Sequence, residues 1–368
     1  MNSSRAVELT RRLVQLDTTP TGQLTAAVAL LSERLEDGGF EVEQQVYDDG
    51  QLNIVAQHGS ADAPGPCLTG HVDTVPVNEQ DWSQDPWGAE VVDGLMYGRG
   101  VADMKSGVAA AVEAAVSFAG MNADAPISVI LTAQEELGSL GAARLAADRE
   151  LPLASYLVVA EPTDLRPRIG HRGAFWVDLR ARGRSCHAST PHLGANAISM
   201  LVEDLTWLTA FVDEELEAHP RLGPATSNIG TIRGGLQRNI VPDEAVAEVD
   251  IRLAGRSALS RLEQVVGHGL PRGSEATVRV NLPGVATEPT SPLMVRAAAI
   301  AGDDGTGAAR FFTDASILTP ALGDIPTVIW GPGSPDQAHV VDEHCAVAQI
   351  DLAVQQYMQL LCGDRATD

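Results

Sequence analysis

The sequence predicts an α/β protein, built on a mixed, mainly parallel sheet with helices on both faces and carrying an inserted ferredoxin-like α+β domain. Three observations lead there. Short apolar runs at 53–56, 66–69, 127–133, 156–160 and 326–330 alternate with helix-like stretches at 24–35, 107–119 and 140–147, the order of βαβ units. Between Gly173 and Pro283 the texture changes to strand (174–180), long helix (195–216), two strands (227–232 and 245–253), helix (259–266) and strand (276–281). That β-α-β-β-α-β order is the ferredoxin-like one. After Pro292 the first texture resumes, so the expected division is 1–172 with 284–368 around an insertion at 173–283.

Each element has a local reason. The N-terminal segment MNSSRAVELTRRLVQLD places Val7, Leu9, Leu13, Val14 and Leu16 on or near one face, the spacing of an amphipathic helix. It lacks the apolar stretch and cleavage site of a signal peptide. The strands at 66–69, 127–133 and 156–160 are continuous apolar runs, as expected where a parallel sheet is covered on both faces. The stretch 107–119 is rich in alanine, a strong helix former.

Composition limits the functions open to the chain. Its 368 residues include 49 acidic and 25 basic side chains, a formal charge of −24, which repels phosphate backbones and argues against nucleic-acid binding. Every basic residue except Lys105 is arginine, which singles out that position. No apolar run of about 18 residues exists, so no transmembrane helix is expected. Cys67, Cys186, Cys345 and Cys362 lie far apart and form no C-x-x-C, which disfavours a disulfide framework or a thiolate zinc site. The expectation is a soluble, cytoplasmic protein.

Ligands of open parallel sheets bind beyond the carboxyl ends of the strands. Strand CLT runs into Gly70-His71-Val72-Asp73, ISVILTA into Gln134-Glu135-Glu136, YLVVA into Glu161, and PTVIW into a Gly-Pro-Gly loop that reaches His339. Asp103 lies in GRGVADMKSG, just before the alanine-rich helix. Any one of these pieces alone reads as solvated polar surface; their shared position at one sheet edge makes them a set. His71, Asp103, Glu136, Glu161 and His339 form an oxygen and imidazole donor set that suits zinc, and also cobalt or manganese. A carboxylate shared between two ions would make the site dinuclear. Asp73, two residues from His71 on an extended segment, is placed to accept that imidazole's second N–H. Glu135, next to Glu136, is left for proton transfer to and from a water. GRGVADMKSG fails as a phosphate loop, because Met104 stands where glycine is needed, and it lacks the third glycine of a dinucleotide fingerprint. His344 remains the nearest competitor to His339.

The segments GHVDTVP, YGRGVADMKSG, TAQEELGSLGA, VVAEPTDL, RGRSCHASTPHLGANAI, RNIVPDE and GPGSPDQAHVVDEH, in order from residue 70 to 344, resemble the zinc-dependent aminoacylase and carboxypeptidase family that includes acetylornithine deacetylase and succinyl-diaminopimelate desuccinylase. The resemblance implies two zinc ions per chain bridged by Asp103, with His71 and Glu161 completing one site and Glu136 and His339 the other. It implies Glu135 as general acid/base, and it prefers His339 to His344 from its place in Q-A-H-x-x-D-E. It also implies that the insertion is a lid and homodimerisation domain. There His187, Asn239 and Arg252 would hold substrate, with His187 reaching the partner chain's metal site. Two departures stand out: Ala254-Gly255 replaces the usual proline after Asp250-Ile251-Arg252, and Cys186 precedes His187. The implied reaction is hydrolysis of an N-acyl amino acid or short peptide. Within the family the motifs look most like acetylornithine deacetylase; a desuccinylase, a general aminoacylase and a dipeptidase or carboxypeptidase stay open, as does a non-catalytic binding relative.

Overall fold

Strands β3 (Gly65–His71) and β6 (Ile127–Thr132) are buried at every residue, which only a sheet covered on both faces allows. The structure, a computed structural model, describes residues 4–20, 22–47 and 50–363. Residues 1–3, the start of the segment expected to be an N-terminal helix, lie outside the described residues, as do 364–368.

The chain divides into two compact units: Met1–Gly170 with Ala286–Ala309 and Thr313–Asp368, and His171–Val285 with Arg310–Phe312. In the first unit, helices α1 (Arg5–Val14) and α2 (Leu24–Asp37) precede strands β1 (Glu41–Tyr47), β2 (Gln51–His58) and β3. Strands β4 (Val91–Val92) and β5 (Leu95–Tyr97), helix α3 (Ser106–Met121), β6, α4 (Leu140–Asp148) and β7 (Ala154–Val159) follow, and β8 (Gly170–His171) closes this stretch. The second unit holds β9 (Gly173–Arg182), α5 (Ala197–Glu215), β10 (Thr226–Gly234), β11 (Glu244–Leu253), α6 (Arg256–His268) and β12 (Glu275–Leu282), and β13 (Val285–Ala286) ends it. The chain then completes the first unit with α7 (Pro292–Ala301), α8 (Ala315–Ala321), β14 (Thr327–Ile329), β15 (His344–Ala346) and α9 (Val347–Gly363).

The main sheet of the first unit has the order β1-β2-β6-β3-β7-β14. Pairs β6/β3, β3/β7 and β7/β14 are parallel, so the strands that carry candidate ligands all end at one edge. β2 runs antiparallel to both of its neighbours. The three-residue connection from Tyr47 to Gln51 is too short for a parallel crossover. β1 has no counterpart in the sequence reading. Its segment EVEQQVY is mostly exposed and has no apolar run, and backbone pairing with β2 defines it. The small sheet β15-β5-β4 was likewise invisible, since its strands are two or three residues long.

Twelve residues of α3 are buried, and the helix packs against β3, β6, α1 and α9. Its first turn lies hard against the end of β7: a Cβ on Gly107 would stand 1.8 Å from the Ala160 carbonyl oxygen, so only glycine fits. α2 is tied to α3 by Arg34, whose Nε and Nη2 donate to the two carboxylate oxygens of buried Glu113 at 2.6 and 2.7 Å. On α1, Val7, Leu9, Leu13 and Val14 are buried, as the amphipathic spacing anticipates, whereas Leu16 is only half-buried.

In the second unit the sheet order is β10-β11-β9-β12, all antiparallel, with α5 and α6 packed to it through Leu201, Leu205, Leu208, Leu259 and Leu262. The sheet is that of a ferredoxin-like unit. Arg310–Phe312 also belongs to this unit, although it lies beyond Pro292. It supplies the Phe312 ring, which meets Trp176 edge-on at 6.1 Å. No hydrophobic period in the sequence marks so short an excursion.

Candidate metal centre

Five chain segments bring five ligand-type side chains together in the first unit. His71 closes β3, Glu136 follows β6, Glu161 follows β7, and His339 lies in the loop after β14. Asp103 stands on the kinked turn Val101–Lys105, in extended backbone (φ −120°, ψ 91°) between β5 and α3. The donor atoms of His71, Asp103 and Glu161 lie within 4.8 Å of one another, and so do those of Asp103, Glu136 and His339. Asp103 belongs to both triads through different oxygens. Its Oδ1 is 3.1 Å from His71 Nε2, and its Oδ2 is 3.4 Å from His339 Nε2. Glu161 Oε1 lies 3.9 Å from His71 Nε2, and Glu136 Oε1 3.0 Å from His339 Nε2. The first triad is deeply buried, while the His339 side chain is 50% exposed, so the second opens to solvent.

His71 Nδ1 faces the Asp73 main-chain oxygen at 3.0 Å and that residue's Oδ1 at 3.5 Å. The main-chain oxygen is the nearer of these two acceptors. The Asp73 carboxylate also accepts from two main-chain amides: Glu135 N donates to Oδ1 and Glu136 N to Oδ2, each at 3.2 Å. Asp73 therefore faces the imidazole with both its main-chain oxygen and its carboxylate, and holds the Glu135–Glu136 turn through its side chain.

Glu135 is buried, and its Oε1 has no hydrogen-bond partner among protein atoms. Burial, and then the charge of Glu161, pushes its carboxyl well above the usual range, against the pull of His71. Burial and the Asp103 charge do the same to Glu161. Asp103 is the exception. Burial opposes its charge too, but bonds from His339 and His71 outweigh it and hold the carboxyl well below its ordinary value. His339 rises to about 10 between Asp103 and Glu136. So many carboxylates in a dry site repel one another, and that repulsion is relieved by proton uptake or by cations. The donor chemistry, the two triads with a common member and the orphaned Glu135 oxygen together fit a pair of divalent cations.

Two residues near the cluster, Asp314 and Glu343, escaped sequence reasoning, and Lys105 was marked by composition without a role. Asp314, the residue before α8, is buried and takes the Thr132 hydroxyl hydrogen bond; burial raises its carboxyl to about 6. In FFTDASIL nothing sets it apart from any other acidic residue. Glu343 is fully buried against the turn that carries Asp103. Lys105, singled out by composition alone, is buried: its Nζ donates to the Leu16 carbonyl at 2.9 Å and lies 5.7 Å from the Trp87 ring centroid. It ties the segment after α1 to the Asp103 turn.

The matches to known proteins decide what this centre belongs to. The family model for peptidase family M20/M25/M40 matches residues 67–362, a span that includes all five ligand-type residues and Glu135. The chain belongs to peptidase family M20/M25/M40. It is 30% identical over 344 residues to an acetylornithine deacetylase of Aliivibrio fischeri, covering 90% of this chain and 89% of that one. Among solved structures it resembles a tripeptidase from Staphylococcus aureus, with a TM-score of 0.77, 23% identity and 98% of each chain covered. It also resembles a metallo-carboxypeptidase of the M20 family from Sulfolobus solfataricus, with a TM-score of 0.77 at 17% identity over 97% of this chain and 98% of that one. These likenesses extend to the whole fold, both units included. M20 proteins are metal-dependent hydrolases of the peptidase and deacylase type, and the two triads are this member's candidate ligands.

The remaining predicted residues lie in the second unit. His187 and Asn239 are brought together: Ala188 N donates to the Asn239 carbonyl at 3.0 Å, and His187 bridges to Ile240. Both side chains are exposed. Ser189 N donates to His187 Nδ1 at 3.1 Å, so in the neutral ring the proton sits on Nε2. Cys186 Sγ lies 3.3 Å from the Thr190 carbonyl oxygen and 3.6 Å from that of His187. Arg252, on β11, is engaged by Asp250 two residues earlier, with Nε and Nη2 at 3.1 and 2.9 Å from Oδ2, and it lies over the Phe312 ring at 5.6 Å. Trp176 Nε1 donates to the other oxygen of Asp250 at 3.1 Å. The guanidinium is thus oriented by a carboxylate and a ring before any ligand arrives.

Proposed function

We propose that this protein is a dinuclear metal-dependent deacylase that hydrolyses the amide bond of N-acyl amino acids, with zinc as its metal and cobalt or manganese able to substitute. The observation that carries the reading is the pair of triads meeting at Asp103 beside the unpartnered oxygen of Glu135. His71, Asp103 and Glu161 would hold one cation, and Asp103, Glu136 and His339 the other. Cations held there supply a water of lowered pKa and polarise an acyl carbonyl.

The chain's own residues do the rest. Glu135 Oε1 takes a proton from the attacking water and returns it to the leaving amine nitrogen. Asp73 holds the turn that presents Glu135. The Nε2–H of His187 donates to the developing oxyanion, and Asn239 supports it. Arg252 receives the substrate's free carboxylate with the in-plane Nη N–H donors left over from its bonds to Asp250, which has already oriented the guanidinium.

The similarity to an acetylornithine deacetylase favours an N-acetyl amino acid as the substrate. One panel tests substrate and metal together. Amine release is measured from N-acetyl and N-succinyl amino acids, from dipeptides, and from N-acyl amines that lack the carboxylate, with elemental analysis of the same preparation. The expected result is about two zinc equivalents per chain and turnover of N-acetyl amino acids that falls steeply when the carboxylate is absent. Faster turnover of dipeptides would replace the deacylase reading with a peptidase one. No bound metal, with turnover persisting in chelator, would end both.

The protein is further proposed to act as a homodimer through its inserted unit, with each His187 serving the partner's centre. His187→Ala and Glu135→Ala chains, each inactive alone, are mixed under subunit exchange. In the mixed dimer one centre then has both its own Glu135 and the partner's His187, so activity is expected to return. If His187 acts within its own chain, every centre lacks one group and mixing restores nothing.

A further inference from the structure

Glu343 is fully buried, and all its side-chain bonds go to a single segment. Its Oε2 accepts from Arg99 Nη1 at 2.7 Å and from the Gly100 amide at 2.9 Å. Its Oε1 accepts from the Ala102 amide at 2.8 Å and the Asp103 amide at 3.1 Å. The Glu343 main-chain oxygen accepts from Gly98 N at 3.0 Å. One carboxylate therefore gathers the donors of the turn whose last member carries the carboxyl common to both triads. The turn needs such a partner. Gly100 is in left-handed backbone (φ 79°), and the amides of Gly100, Ala102 and Asp103 point inward, where no helix or sheet ladder satisfies them.

We propose that Glu343 is a positioning residue: it sets the turn so that Asp103 presents Oδ1 to one triad and Oδ2 to the other. The inference rests on reading the triads as a metal centre. Glu343 itself touches none of their ligand atoms and acts through the main chain. It is four residues past His339, so the same loop delivers a ligand to the second triad and the clamp for the carboxylate common to both. A buried ion pair with Arg99 would need one bond; three of the four come from main-chain amides, which fix geometry rather than neutralise charge. Only a carboxylate has the acceptors required. A glutamine would keep one oxygen and turn an amide N–H₂ group toward two donors.

The test is a Co²⁺ titration of chelator-stripped, full-length protein, followed by visible absorption, on wild type, Glu343→Gln, Glu343→Asp and Leu31→Ala. Leu31 is fully buried in the first unit, away from the cluster, and its truncation serves as a purely structural loss. Both Glu343 variants are expected to lose about 10- to 100-fold in Co²⁺ affinity, and their absorption bands should change in position and intensity. Glu343→Asp keeps the charge and so retains the neutralisation of Arg99 should the glutamine variant fold poorly. Leu31→Ala should lower the unfolding temperature and leave both metal readouts unchanged. Wild-type affinity and spectrum in the Glu343 variants would overturn the proposal, as would an equal loss in Leu31→Ala. A wild-type protein that takes up no Co²⁺ would instead overturn the metal centre itself.

Discussion

Glu135→Gln is expected to fold, to keep its metal and to lose between about 10² and 10⁴ in kcat, the range that general acid–base catalysis contributes. The reasons are local. The side chain sits beside the triads but in neither, and its Oε1 makes no hydrogen bond for the substitution to break. Its main-chain N–H is held by Asp73, which a change of side chain leaves alone. Glutamine keeps the volume and cannot accept the proton. Glu136→Gln has the same neighbours and the same main-chain anchor, yet its carboxylate lies 3.0 Å from His339 within the second triad. It should weaken metal binding directly. Metal content and single-turnover rates on both variants separate the two roles. Equal metal loss would mean that the adjacent glutamates are assigned wrongly.

Asp103→Ala should remove both cations at once and abolish activity, whereas His339→Ala should leave one. Asp103 is the only member common to the two triads and uses a different oxygen in each. His339 serves the second triad alone and is the most exposed of the five. The Asp103 side chain contacts the two imidazoles, while its backbone is held by Glu343, so truncation leaves the turn's own bonds in place. Elemental analysis after dialysis is expected to give about two equivalents for wild type, one for His339→Ala and none for Asp103→Ala. A retained equivalent in Asp103→Ala would show that the two sites are independent.

Much of this protein is legible in its amino-acid order, for physical reasons that can be named. Strands β3, β6 and β7 must be continuously apolar because both faces are covered, and a polar residue ending such a run can only stand at the sheet's edge. That is how His71, Glu136 and Glu161 declare themselves as a set. The insertion announces itself through a change of period, since half-buried antiparallel strands alternate, as Glu244–Leu253 does residue by residue.

Other features leave no such trace, because they depend on backbone atoms and on distance. β1 is a row of mostly exposed Glu, Gln and Val residues held by main-chain pairing to β2. Asp73, placed beside His71 by its spacing, also caps the amides of Glu135 and Glu136 with the same carboxylate. A two-residue spacing fixes a side chain's direction but not which donor reaches it first. Glu343 is one more acid in VVDEH, and Asp314 one more acid in FFTDASIL. Their roles come from donors in residues 99–103 and at Thr132, more than 180 residues away in each case. The sequence by itself determined which side chains can bind a cation and at which edge they lie, because burial demands apolar runs and the runs must end. Only the tertiary structure decided that Asp103 faces both triads and which carboxylate holds it there, because main-chain amides look alike at every residue and reveal their partners only when the chain is folded.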